Sequence, residues 1–408
     1  MGIKIALLIV FFAVMVAVGL YARKHVTSVD GFVLGGRSAG PWLTAFAYGT
    51  SYFSAVVFVG YAGQFGWKYG LSSTWIGIGN AVIGSLLAWV VLGRRTKVMT
   101  QHLGSRTMPD FFGNRYGSRA LKIAASVIVF VFLVPYTASI YNGLSRLFEM
   151  AFHIPYTVCV AGMAVFTGIY VILGGYMATA INDFIQGIIM LIGIVAVIAA
   201  VLSGQGGFLG AIEKMAEIPS DIPVTLGQPG AFTSFFGPDP LNLLGVVILT
   251  SLGTWGLPQM VGKFYAIKDE KSIHTGTVIS TIFAVIISGG CYFLGGFGRL
   301  FDGKEIYDAS GVVVFDSIIP HMLSSLPDIL IGIVVVLVLS ASMSTLASLV
   351  LTSSSTLTLD FLKDTVMKEM SEKKQIRVMQ ILVVFFIAVS VLLAWNCLLY
   401  TSDAADEL

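Results

Sequence analysis

Gly174-Gly175-Tyr176-Met177-Ala178-Thr179-Ala180-Ile181-Asn182-Asp183-Phe184-Ile185-Gln186-Gly187-Ile188 is the stretch that decides how this chain is read. It runs without a break into Ile189-Met190-Leu191-Ile192-Gly193, and the apolar character continues to Leu202. An acid and a glutamine therefore stand at the mouth of a membrane-spanning helix. A carboxylate taken out of water costs several kcal/mol unless something positive offsets it. Two readings follow. Asp183 either lies just outside the hydrocarbon and caps the helix start, or it belongs to an ion site within the membrane.

The rest of the chain supports a membrane setting. Of 408 residues, 56% are hydrophobic and 11% charged, against about a quarter charged in soluble domains. Apolar content this high and this evenly spread gives an all-α polytopic membrane protein. The net charge of +2 carries little meaning, because the charges are segregated by loop. Cys159, Cys291 and Cys397 are isolated and show neither metal-ligand spacing nor a disulfide framework. No nucleotide loop, zinc motif or nucleophile elbow occurs, so the chain does not read as an enzyme. The first apolar segment ends in Arg23-Lys24 and lacks a small-residue cleavage site, so it is a retained span.

Ten stretches are long enough to cross a bilayer: 3–22, 43–62, 74–92, 121–151, 156–173, 181–202, 241–265, 274–297, 328–357 and 378–395. With the N-terminus outside, 17 Lys and Arg fall on inner loops, among them Arg37, Arg94, Arg106, Lys122, Lys268 and Lys363. Five fall outside: Lys4, Lys68, Lys214, Arg299 and Lys304. That asymmetry sets the orientation. The loops 203–240 and 298–327 are then external, each with room for a short surface helix. The five histidines fall at loops or span ends and read as solvated, and Arg146 pairs with Glu149 one helical turn on.

The second and seventh spans are both interrupted by small polar residues, and they cross in opposite directions. The third member of each set, 121–151 and 328–357, is unusually long. Broken segments at matching places in two inverted halves are the best sequence pointer to a transporter binding site. The expected fold is an inverted five-plus-five helix repeat, LeuT-like, preceded by one extra helix and with the last core helix missing. The transmembrane domain covers residues 1–396. Residues 397–408 follow Trp395-Asn396 abruptly, resemble a translated sequencing-library adapter, and read as a non-native tail.

Three segments carry polar chemistry. Gly49, Thr50, Ser51 and Ser54 weaken the second span, where unwound backbone carbonyls can face a cation or small residues can let helices approach closely. The ninth span holds five Ser and Thr within Ser340–Ser348. Ser344 and Ser348 share a face with Thr345 beside them, and neutral oxygens suit a hard cation such as sodium. The same hydroxyls can also bond back to their own helix. The seventh span contains Gly253-Thr254-Trp255-Gly256-Leu257-Pro258-Gln259, a helix break with Trp255 as a flat apolar wall. The best partners for Asp183 are hydroxyls of the ninth span or a second cation.

The Gly174–Met190 stretch resembles the signature of the sodium:solute symporter family. Phe32-Val33-Leu34-Gly35-Gly36-Arg37-Ser38, Arg146-Leu147-Phe148-Glu149, Lys268-Asp269 and Met343-Ser344-Thr345 agree with it, so the resemblance covers nearly the whole chain to Trp395. It implies a multi-pass protein of the bacterial cell membrane with Na+ as coupling ion. It implies a main sodium site of Thr50, Phe53 and Ala341 carbonyls with Ser344 and Thr345 hydroxyls, and Asp183 as the family's acidic position. In some members that acid serves a second ion site, which would want a hydroxyl where this chain has Ala347. The proline branch carries Asp where this chain has Tyr52 and Trp where it has Val56. The Tyr52 context, Gly256-Leu257-Pro258, Lys268-Asp269 and His274 look closer to the pantothenate branch. Ser51, Tyr52, Ser54, Tyr136, Thr254, Trp255 and Pro258 are the expected solute-pocket residues. The expected function is sodium-coupled import of a small organic solute, a pantothenate-like carboxylate or an amino acid such as proline. The alternative is a transporter-like membrane sensor of a signalling protein. The partners are the solute, sodium and the lipid bilayer, and not nucleic acid.

Overall fold

The computed structural model describes residues 2–152, 154–367 and 369–396. The adapter-like tail 397–408, His153, and the side chains of His25, Arg146 and Glu149 lie outside what is described. Among the described residues the architecture is helical, with only two isolated bridges, Ala39 to Ile267 and Tyr307 to Val313. The principal helices are α1 (Gly2–Ala22), α2 (Pro41–Tyr52), α3 (Arg119–Phe152), α4 (Tyr156–Gly204), α5 (Pro240–Leu252), α6 (Pro258–Ala266), α7 (Glu270–Gly295), α8 (Asp328–Thr356) and α9 (Glu372–Asn396). Between α2 and α3 runs the helical stretch Val56–His102. The surface loops carry the helices Gly207–Glu217 and Phe315–Ser324.

Seven helices among the described residues are long and apolar enough to span, or eight if the bent pair Pro240–Gly256 and Pro258–Ala266 forms one. Two of these runs, Val56–His102 with 47 residues and Thr157–Gly204 with 48, would each reach roughly 70 Å at 1.5 Å per residue. The hydrocarbon is only about 30 Å thick, so each run covers two spans. Each contains a glycine in the left-handed φ region: Gly70 at φ 60° and Gly175 at φ 52°. Gly175 interrupts α4 with ψ −141°, and a side chain there would press on the Phe32 carbonyl oxygen at 2.6 Å. The Gly-Gly pair of the signature thus lets α4 change direction against the short helix Val29–Leu34 that follows α1.

The long, buried helix α8 is the axis of the bundle, packed on α1, α2, α3, α4 and α9. Lys4 at the start of α1 pairs with Asp328 at the start of α8 at 2.8 Å. Tyr170 of α4 donates to the Met343 carbonyl of α8 at 3.0 Å. Gly187 of the signature faces the Phe46 ring and Thr50 of α2, and no side chain fits between them. The signature therefore sets α4 directly against the break in α2.

At the end of the bundle away from Lys4, loops and helix ends are stapled by charge. Gly35 and Gly36 take left-handed φ of 59° and 65°. The turn aims Arg37 at the Ser105 carbonyl (2.6 Å) and the Tyr265 carbonyl (3.2 Å). Burial holds the Arg37 guanidinium below its usual pKa, although it stays charged. Lys122 of α3 reaches Asp110 at 3.0 Å, Asp364 at 2.9 Å and the fully buried Asp360 at 3.6 Å.

Candidate functional site

Helix α2 stops at Phe53, whose extended backbone (φ −106°, ψ 96°) ends the ladder. The chain resumes helical turns after Ser54, and the Val57 N–H bonds the Ser54 carbonyl at 3.1 Å rather than that of Phe53. Helix α8 crosses this break. Ser344 Oγ lies 3.2 Å from the Thr50 carbonyl oxygen and 3.1 Å from that of Ala341. Thr345 Oγ1 lies 3.2 and 3.1 Å from the same two oxygens. Each hydroxyl has one proton, so these contacts place four oxygens around two protons. All four residues are buried. A small hard cation binds oxygen lone pairs and would replace those shared protons with one central charge, so the oxygen set fits sodium. Thr50 bonds its own hydroxyl back to Phe46 at 2.9 Å, which leaves its carbonyl as its contribution.

One turn further along α8, Ser348 Oγ lies 2.9 Å from Ser51 Oγ and accepts from Lys263 Nζ of α6 at 2.9 Å. The same ammonium sits 3.5 Å from Asp183 Oδ2, with side-chain exposures of 4% for Lys263 and 0% for Asp183. Asp183 is thus no helix cap, since neither of its oxygens meets a hydrogen-bond donor within bonding distance. Of its expected partners, the α8 hydroxyl of Ser348 bonds that lysine instead, and the group facing the carboxylate is the Lys263 ammonium. Sequence reasoning missed Lys263. The signal was present: a lone base inside an apolar stretch, with a lone acid inside another. Tyr176 of the signature closes over the ammonium, its ring centre 5.4 Å away.

The expected solute residues fall in two groups. Tyr52, Ser54 and Thr254 are buried, with the Tyr52 hydroxyl donating to the Thr250 carbonyl at 3.0 Å. Thr254 and Tyr136 are neighbours of the Tyr52 phenol. Trp255, in the 53° bend between the α5 and α6 arms, donates its indole N–H to the Ile83 carbonyl at 2.9 Å. The expected solute wall thus sits at the α2 and α5–α6 breaks. Ser51 and Pro258 stand apart from it. Ser51 belongs to the Ser348–Lys263 chain, and Pro258 lines a small cavity of about 50 Å³ together with Gln259, Lys263, Ser348 and Ser355. Gln259, buried and with no partner for its amide oxygen or nitrogen, is a second polar residue that sequence reasoning passed over. The cavity leads from Lys263 past Arg106 and Thr107 toward the charged staple.

The family model of the sodium:solute symporter family matches residues 32–399. Sodium/proline symporters from Staphylococcus aureus strains JH9 and Mu3 are each 30% identical over 407 aligned residues, covering 95% of this chain and 74% of theirs. Among solved structures, a substrate-bound, outward-open Na+-coupled sialic acid symporter superposes with a TM-score of 0.82 at 16% identity. That match covers 99% of this chain and 83% of the other. A nucleobase-cation-symport-1 family transporter in a closed conformation superposes with a TM-score of 0.52 at 15% identity, covering 90% and 74%.

Proposed function

This chain belongs to the sodium:solute symporter family and is a sodium-coupled symporter rather than an enzyme, and from that premise we propose that it imports a small organic solute, a pantothenate-like carboxylate or an amino acid such as proline. The observation that carries this reading is the convergence of Ser344 and Thr345 on the Thr50 and Ala341 carbonyls. A sodium ion held there by α8 and by Thr50 and Phe53 ties the α2 break to the bundle axis. The residues next to that break, Tyr52 and Ser54, belong to the solute wall with Tyr136, Thr254 and Trp255. Fixing the break shapes the wall, so sodium raises solute affinity, and by linkage the solute raises sodium affinity by the same factor. With the N-terminus outside, the cavity at Lys263 opens toward the cytoplasm and is the release side. One sodium crossing 100 mV supplies about 2.3 kcal/mol, enough for roughly fifty-fold accumulation of a net-neutral solute such as proline, whereas a carboxylate anion moving with one sodium carries no net charge and draws on the sodium concentration gradient alone.

The test is uptake of radiolabelled amino acids and vitamins, proline and pantothenate included, into proteoliposomes with and without an inward sodium gradient. Accumulation of one of them that collapses when potassium replaces sodium supports the reading. Uptake indifferent to sodium across the whole panel overturns it.

A further inference from the structure

We propose that Lys263 is a built-in second cation, occupying the charge position beside Asp183 so that the chain binds a single sodium ion; the inference rests on the sodium reading above. Two observations carry it. Asp183 is fully buried on α4, and the charge facing it is the Lys263 ammonium 3.5 Å away. Carboxylate and ammonium together are neutral, and a sodium ion added beside them would leave one positive charge uncompensated at a fully buried carboxylate, where like charges repel strongly. The second observation is the oxygen supply. A sodium at Asp183 needs neutral oxygens from the facing turn of α8, but the Ser348 hydroxyl accepts from Lys263 and is engaged with Ser51 at 2.9 Å. Asp183, Lys263 and Ser348 join α4, α6 and α8 at one point, as a bound ion would, but the cation cannot dissociate because it is tethered to α6. The main site loses nothing by this, since its oxygens come from Thr50, Phe53, Ala341, Ser344 and Thr345.

The experiment counts sodium ions directly, using 22Na+ equilibrium binding to the purified chain in detergent, with folding checked by size exclusion. The wild type is expected to bind one ion per chain. Lys263→Gln is expected to bind two, the second at the carboxylate that has lost its ammonium. The charge-neutral pair Asp183→Asn/Lys263→Gln should return to one. Two ions on the wild type, or one on a folded Lys263→Gln, overturns the proposal and leaves sodium coupling intact. No ion on the wild type overturns the sodium site itself and this inference with it. Should Lys263→Gln fail to fold, Asp183→Asn decides. A count that stays at one supports the tethered cation, and a count that falls to zero puts the ion at Asp183 and refutes it.

Discussion

Thr345→Val separates the sodium ligand from the fold. The substitution keeps the branched shape and removes only the hydroxyl, which lies 3.2 Å from the Thr50 carbonyl oxygen and 3.1 Å from that of Ala341. In the absence of the ion, Ser344 still reaches both carbonyls at 3.2 and 3.1 Å. The loss to stability is then that of one shared hydrogen bond, about 1 kcal/mol. With the ion bound, the loss is one of five oxygen ligands at a full charge, about 1–3 kcal/mol, which is roughly 5- to 150-fold in sodium affinity. Thr345→Ser, which keeps the oxygen, should stay within about threefold of wild type by the same conversion. The assay is the rise of the thermal midpoint with sodium, at ionic strength held constant with choline. Ser344→Ala should act similarly, and the double variant should fall short of the summed effect because both hydroxyls serve the same two carbonyls. A Thr345→Val curve that overlays wild type would refute the placement of sodium between α2 and α8.

Three further outcomes follow from packing and charge. Gly66 faces the Gly295 carbonyl across a helix crossing with no room for a methyl group, so we predict that Gly66→Val costs at least about 1–3 kcal/mol and lowers the melting temperature in detergent. An unshifted midpoint would argue against that crossing. Arg299 donates to the Trp67 carbonyl at 2.7 Å and to Asp221 at 2.6 Å while its guanidinium lies 4.0 Å from the Phe232 ring centre. A lysine cannot reproduce that planar fork, so Arg299→Lys should destabilise nearly as much as Arg299→Gln, and full rescue by lysine would count against it. For orientation, in a background lacking Cys397, Gln228→Cys should react with an impermeant thiol reagent on intact cells and Gln101→Cys should not. Cys159 and Cys291 are buried, and the reverse pattern would overturn the N-out reading.

The fold was legible because lipid enforces it. Long apolar runs, Gly-Pro interruptions and a clustered set of hydroxyls mark spans, breaks and the bundle axis without any tertiary information. The joints of the two long runs were legible too, since the expected spans 43–62 and 74–92 leave Gly70 between them and the spans 156–173 and 181–202 leave Gly175. The sodium oxygens were only half legible. Ser344 and Thr345 advertise themselves by residue type, but Thr50, Phe53 and Ala341 would act through backbone carbonyls, which every residue has, so those positions came from resemblance. Lys122 was counted only among the inner-side charges, although it gathers Asp110, Asp360 and Asp364. Lys263 was missed for a different reason. Assigning Lys and Arg to loops leaves it without one, and an averaged apolar span absorbs a single charge silently. A charge stranded in hydrocarbon must still find a partner, and matching it with Asp183, 80 residues earlier, needs only the rule that buried charges come in pairs.

The two clusters along α8 differ in what can leave. A sodium ion between Ser344, Thr345 and the α2 break would be an exchangeable tie, present or absent according to concentration. Lys263 between Asp183 and Ser348 is a permanent one, because the covalent chain holds the cation in reach whether or not it is paired. Breaking a buried pair of this kind by removing one partner costs about 3–5 kcal/mol, of the same order as or above the energy that one ion gains in crossing a membrane potential of ~100 mV. On the proposed reading the Lys263 contact would survive the cycle, and α6 would stay pinned to α4 and α8 at that point. The part of the solute wall that sodium can switch is then the α2 side, Tyr52 and Ser54, while Trp255 and Thr254, just before the pinned α6, form its fixed face. On the proposed reading, coupling would run through the break at Phe53, with the lysine keeping the carboxylate from competing for the ion.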